Sequence, residues 1–110
     1  VRFDRNARPM TKQSVQIDIM PDNLRWSADG KLYTVGGNYV PPVQAAECQN
    51  PLCLTGWSVY EIDPQTLQAT RVGGVDQLAA LQGASTALPV GNELWIGTYS
   101  GDRVGYMPKP

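Results

Sequence analysis

Shifted against itself by 62 residues, the chain lays one strand pair over another. Leu24-Arg25-Trp26 falls on Thr86-Ala87-Leu88, and Lys31-Leu32-Tyr33 falls on Glu93-Leu94-Trp95, with a Gly-containing turn before each second strand. The strands that follow, around Val59 and Val104, align only at a shift of 45. The difference, 17 residues, measures an insertion in the first unit, and it must lie within Asn38 to Leu54. A repeat at this spacing restricts the fold more than any single motif. A unit of ~45 residues buries its apolar face by stacking on a similar neighbour.

The units themselves read as strand, turn, strand. Ser14-Val15-Gln16-Ile17-Asp18-Ile19 alternates polar and apolar residues with the period of a half-buried strand. Leu24 and Trp26 alternate with Asn23 and Arg25. Asp29-Gly30 signals a hairpin turn into Lys31-Leu32-Tyr33-Thr34-Val35. Trp57 to Ile62 alternates again and closes at Asp63-Pro64. Gln68 to Val72 follows, with Gly73-Gly74 expected to end it. Ser85 to Leu88, a Gly91-Asn92 turn, Glu93 to Tyr99 and Val104 to Met107 complete the series. Val75 to Leu81 has helical composition but is too short to hold a helix by itself. Trp26, Tyr33, Trp57, Tyr60 and Trp95 fall on strand positions, where packing between units is their expected role.

The expected fold is therefore all-β. Two strands before Pro21, four in the middle unit and three in the last amount to two and a quarter four-stranded units. A ~45-residue unit of four short strands is the size of a propeller blade, and propellers close with typically 4–8 blades. Residues 1–20 read as the last two strands of a preceding blade. Residues 21–74 read as a complete blade with an inserted loop over 38–54, and 75–110 as a final three-stranded blade. Another chain segment is expected to complete the ring. Closure with copies of itself is the alternative, although the strand count does not divide into whole blades.

Composition removes several functions. Nine Lys and Arg against ten Asp and Glu leave a net charge of −1, so no basic stripe is available for nucleic acid or an anionic membrane. No apolar run approaches the ~20 residues of a membrane span. With no His, a His-based triad or zinc site cannot lie wholly within the chain. Cys48 and Cys53 enclose a Pro-containing segment that permits a small disulfide ring, with two free thiols as the other reading. The disulfide implies an oxidising compartment, secreted or periplasmic.

Met20-Pro21-Asp22-Asn23-Leu24 is the stretch richest in chemistry. In a blade, Pro21 fixes the chain before the innermost strand, and Asp22 and Asn23 follow beside the axis. A carboxylate and an amide carbonyl are the hard oxygen donors that calcium prefers. The 62-residue shift carries Asn23 onto Ser85, so both can line one central site. Read locally, Pro-Asp-Asn is only a turn in which Asp and Asn bond their own backbone. The 38–54 insert is either a lid over the channel mouth, with Tyr39 touching substrate, or a plain surface excursion. Asp102 and Arg103 are placed to pair across the last turn.

The run from Pro21 to Gly36, PDNLRWSADGKLYTVG, resembles the strand pair of the calcium-dependent six-bladed propellers. That superfamily includes paraoxonases (arylesterases), gluconolactonases with regucalcin, and strictosidine-synthase-like proteins. Leu81 to Ala87 and Glu93 to Val104 are similar to the final blade of the paraoxonase-like branch. The resemblance spans roughly Ser14 to Met107 and identifies the chain as a C-terminal portion. It implies that Asp22 and Asn23 are ligands of a central calcium ion and that Asp22 is a candidate general base. It also implies that Ser85 and Tyr99 line the substrate pocket, and that the other ligands lie in earlier blades outside this chain.

Paraoxonases carry a His near the place of Gly37-Asn38, which this sequence lacks. The expected route is therefore gluconolactonase-like: calcium polarises the carbonyl of a lactone or aryl ester, and a carboxylate takes the water proton. The alternative is a non-catalytic propeller, a binding or scaffold protein with a structural axial calcium.

Overall fold

Two tight connections set the strand pairing. Gly91 adopts a φ of +57°, the left-handed conformation that a two-residue hairpin needs at its first central position. In the longer loop before Lys31, Gly30 takes a φ of +79° and Ser27 holds the loop together. The Ser27 hydroxyl accepts from the Lys31 N–H at 3.0 Å and bonds the Asp29 carboxylate, while Gly30 N–H donates to Ser27 O at 3.1 Å. The computed structural model describes residues 2–38, 56–76 and 81–110. Tyr39, Cys48, Cys53 and nearly all of the insert expected at 38–54 lie outside the described residues.

The described residues form nine strands and no helix. They are β1 (Arg2–Phe3), β2 (Pro9–Thr11), β3 (Ile19–Trp26), β4 (Leu32–Asn38), β5 (Trp57–Ile62), β6 (Ala69–Val75), β7 (Ala84–Val90), β8 (Glu93–Thr98) and β9 (Gly105–Pro108). All pairings are antiparallel: β1-β2 as a small hairpin, β3-β4-β5-β6 as a four-stranded sheet and β7-β8-β9 as a three-stranded sheet. The sheets are open at their edges and do not form a closed ring. No helix among the described residues is long and apolar enough to cross a membrane.

The two larger sheets repeat each other in register. Leu32, Tyr33 and Thr34 of β4 pair with Ile62, Glu61 and Tyr60 of β5. The offsets of 62 and 45 carry these onto Leu94–Met107, Trp95–Tyr106 and Ile96–Gly105, which are the observed pairs of β8 and β9. The sheets stack with β7 against β3 and β4. Tyr33, Val35, Trp57 and Val59 of the first meet Ala84, Ala87, Leu94 and Ile96 of the second, all buried. The two alanines on β7 let the strands approach closely, and Leu81 and Met107 seal the margin. Burying a Leu or Ile side chain in such a seam stabilises by about 1.5–3 kcal/mol.

An ionic cluster closes one end of the seam. Lys31 bonds the Asp63 carboxylate, and Lys109, on the second sheet's side, lies 3.7 Å from Asp29 and 5.4 Å from the Tyr33 ring centre. The Lys31 ammonium, helped by the N–H groups of Thr66 and Gln65, holds the Asp63 carboxyl well below the usual carboxylate range. The Asp63 carboxylate in turn raises Lys31. Tyr33 donates its hydroxyl to Glu61, and burial first, then that carboxylate, pushes the phenol upward.

Four local expectations need correction. Ser14 to Asp18 form no strand, although Val15 and Ile17 are less exposed than their neighbours. The alternation is present but no partner strand among the described residues faces it, and a strand without a ladder leaves its backbone groups unpaired. The two strands before residue 20 are β1 and β2, turned by Asp4, whose carboxylate accepts from Asn6 N–H and Arg8 N–H at 2.8 and 3.0 Å. Pro21 lies inside β3 rather than before it, which is permitted because β3 is an edge strand. Gly73-Gly74 does not end β6, which runs on to Val75. A side chain at Gly73 would strike Met107, and one at Gly74 would strike the Trp57 carbonyl, so both glycines permit close approach. Tyr33 and Trp57 pack as expected, whereas Trp26 is 63% exposed and Trp95, stacked on Tyr106, 40%.

Candidate functional site

Both sheets carry an irregularity at the same place on their first strand. In β3, Pro21 pairs with Gly36 and Leu24 with Thr34, so Asp22 and Asn23 together oppose one residue. In β7, Ala84 pairs with Thr98 and Thr86 with Gly97, so Ser85 has no residue opposite. Bulges of this kind turn side chains out of the ladder and recur beside functional sites. Asn23 and Ser85 are the residues that the 62-residue repeat superimposes.

The two bulges touch. Asn23 Nδ2 donates to the Ser85 carbonyl oxygen at 2.9 Å and to Asp22 Oδ1 at 3.2 Å. The contact to Ser85 is made through its backbone, not its hydroxyl. Beside this junction lies a cleft of about 200 Å3. Its walls come from Met20, Pro21 and Asp22 of β3, Gly36 and Gly37 of β4, Trp57 of β5, Ala84 of β7, and Tyr99 just after β8. Tyr99 is 55% exposed and is fixed through its N–H, which donates to Gly83 O at 3.0 Å. Trp57 is held from behind by its indole N–H on Leu81 O at 3.0 Å.

Of the residues singled out from sequence, Asp22 and Tyr99 thus meet in one cleft, and Asn23 and Ser85 are joined at its margin. Tyr39 lies outside the described residues. Met20, Trp57 and the small residues lining the walls were not anticipated as site residues. Trp57 packs in the seam and also lines the cleft. The one available signal was position: Met20 and Pro21 precede Asp22 directly, and Ala84 is the repeat partner of Asp22.

The donor chemistry can be tested against a calcium ion. With Nδ2 committed, Asn23 Oδ1 and Asp22 Oδ2 accept no protein donor among the described residues. These are two hard oxygens on adjacent residues, against the six to eight oxygens that calcium takes. No group of three or more His, Cys, Asp or Glu able to hold a metal is found among the described residues. Asp22 and Asn23 match calcium in donor type but supply only a small part of its shell. Asp102 and Arg103 pair at 2.7 Å in the turn after Tyr99, both largely exposed. Comparison with protein-family models, with curated proteins and with solved structures finds no match to this chain.

Proposed function

We propose that this chain is the C-terminal part of a six-bladed propeller that hydrolyses lactones or aryl esters with calcium at its hub. The single observation that carries the reading is the meeting of the two repeat-related bulges at Asn23 and Ser85, beside a cleft holding Asp22 and Tyr99. The stacking of one meander on its repeat supports the propeller architecture. The exposed Trp26 and Trp95 suit contacts with neighbouring sheets from the rest of the ring.

A calcium ion held there would polarise the ester carbonyl as a Lewis acid, and Asp22 and Asn23 would supply two of its oxygens. Asp22 takes the proton from the attacking water as the new carbon–oxygen bond forms. It returns that proton to the departing alkoxide as the ring or ester bond breaks. Met20, Trp57 and Tyr99 give the cleft apolar walls that receive the hydrocarbon part of the substrate.

The test uses the protein in the assembly it natively forms. Hydrolysis of simple lactones and aryl esters is expected with calcium, and is expected to vanish on chelation and in Asp22→Ala with the fold intact. Calcium-dependent thermal stability without turnover would instead establish the structural-calcium scaffold reading.

A further inference from the structure

The two sheets stack head to tail. Tyr33–Glu61 in the first sheet and Trp95–Tyr106 in the second are corresponding pairs, so Trp95 stands where Tyr33 does. The first sheet enters the seam with Tyr33. The second enters it with Leu94 and Ile96, the strand neighbours of Trp95, and therefore with its other face. The face that carries Trp95 is left over.

That face is apolar from edge to edge. Leu88 pairs with Trp95 and Trp95 with Tyr106, which makes one row across β7, β8 and β9. The Trp95 and Tyr106 rings stack with centres 5.3 Å apart. Leu88 is 45% exposed, Trp95 40% and Tyr106 67%, whereas Tyr33, the counterpart of Trp95, is fully buried. The Trp95 indole N–H already donates to Glu93 at 3.0 Å, so covering the row leaves that donor satisfied. In the first sheet the same row reads Arg25, Tyr33, Glu61 and is charged at both ends. A sheet face that is apolar across its whole width marks an interaction surface.

We infer that the Leu88–Trp95–Tyr106 face docks a further antiparallel sheet, supplied by another polypeptide segment, that presents alanine-sized residues on its nearest strand and aliphatic residues on the next. The existing seam supplies the pattern: opposite Tyr33 it places Ala84 and Ala87 on β7, with Leu94 and Ile96 behind them on β8. A second copy of this chain does not offer that pattern. Leu24 pairs with Thr34, and Ala87 pairs with Ile96, the counterpart of Thr34, so Leu24 takes the place of Ala87 on the first sheet. By the same pairing Trp26 takes the place of Pro89. Both side chains are large and exposed, and they would hold an incoming face away from close packing. The inference rests on the ring architecture proposed above, but on neither calcium nor hydrolysis.

The experiment places the photocrosslinker p-benzoylphenylalanine at position 95 of the full chain in its native assembly and maps the captured peptide by mass spectrometry. The expected product joins position 95 to a strand of another segment, at or beside an Ala, Gly or Ser. Tyr106→Lys, at a position exposed enough to leave the fold intact, is expected to weaken the association at least about tenfold. Asp102→Ser, in the exposed turn, is expected to leave it unchanged. Capture of Leu24 or Trp26 from a second copy, or of residues of the same chain, would overturn the inference. So would an absence of capture with Tyr106→Lys assembling normally. Each of these outcomes leaves the calcium test untouched. Capture of a small-residue strand in a protein without calcium-dependent turnover would uphold the docking face and remove the hydrolase reading.

Discussion

Asn23 Nδ2 and the carbonyl oxygen of Ser85 lie 2.9 Å apart although 62 residues separate them, and 62 is also the offset at which the sequence repeats. Corresponding points on two successive units are thus in direct contact. Asn23→Ala removes this hydrogen bond and the one to Asp22. Both are exposed, so the expected loss is about 0.5–1.5 kcal/mol, read from the midpoint of urea unfolding.

The seam between the sheets carries far more. Leu94 is fully buried, and Leu94→Ala leaves a cavity between β8 and its neighbours, with an expected cost of about 2–5 kcal/mol. Val90, half exposed on the same sheet, is the control: Val90→Ala is expected to change stability by less than about 0.5 kcal/mol. Equal effects from the two would contradict the stacking.

Asp63 gives a pH signature. Its folded carboxyl titrates below its unfolded value, so the stability it contributes is present above the unfolded value of about 3.9 and is lost as pH falls through the lower folded one. Lys31 is raised, so its part is present below its unfolded value and lost only in strong alkali. Unfolding of the protein and of Asp63→Asn is expected to differ by a constant amount from about pH 5 to 9 and to converge as pH drops below about 4. A difference that grows in acid would contradict the assigned pair.

Gly36 lines the cleft and permits β3 to lie against β4. A Cβ there would sit 1.8 Å from the Met20 carbonyl oxygen, which is main chain and cannot swing away. Gly36→Ala is expected to cost upwards of about 2 kcal/mol, and to move the amide resonances of Met20, Pro21's neighbour, and Asp22 before those of the second sheet.

Sequence reasoning reached furthest where local chemistry decides. Trp57–Ile62 was legible to the residue because its alternation is bounded by Asp63-Pro64 on one side. The two offsets, applied to the β4–β5 pairs, reproduce the β8–β9 pairs. It fell short where partners decide. The alternation at Ser14–Asp18 describes a face, but a ladder needs a second strand and none of the described residues supplies it. Gly73-Gly74 looked like a stop because nothing local reveals Met107 or Trp57 pressing on those positions. At the candidate site, Asp22 and Asn23 stood out by donor type, but the bulge that sets them apart from the ladder follows from pairing with β4.

The central claim is that Asp22 and Asn23 hold a calcium ion at the junction of repeated sheets. Crystals of the native assembly grown with calcium test it most directly. The account predicts anomalous density within coordination distance of Asp22 and Asn23 Oδ1, beside the Tyr99 cleft, and its loss in Asp22→Ala. Density held elsewhere, or none at saturating calcium, would contradict it.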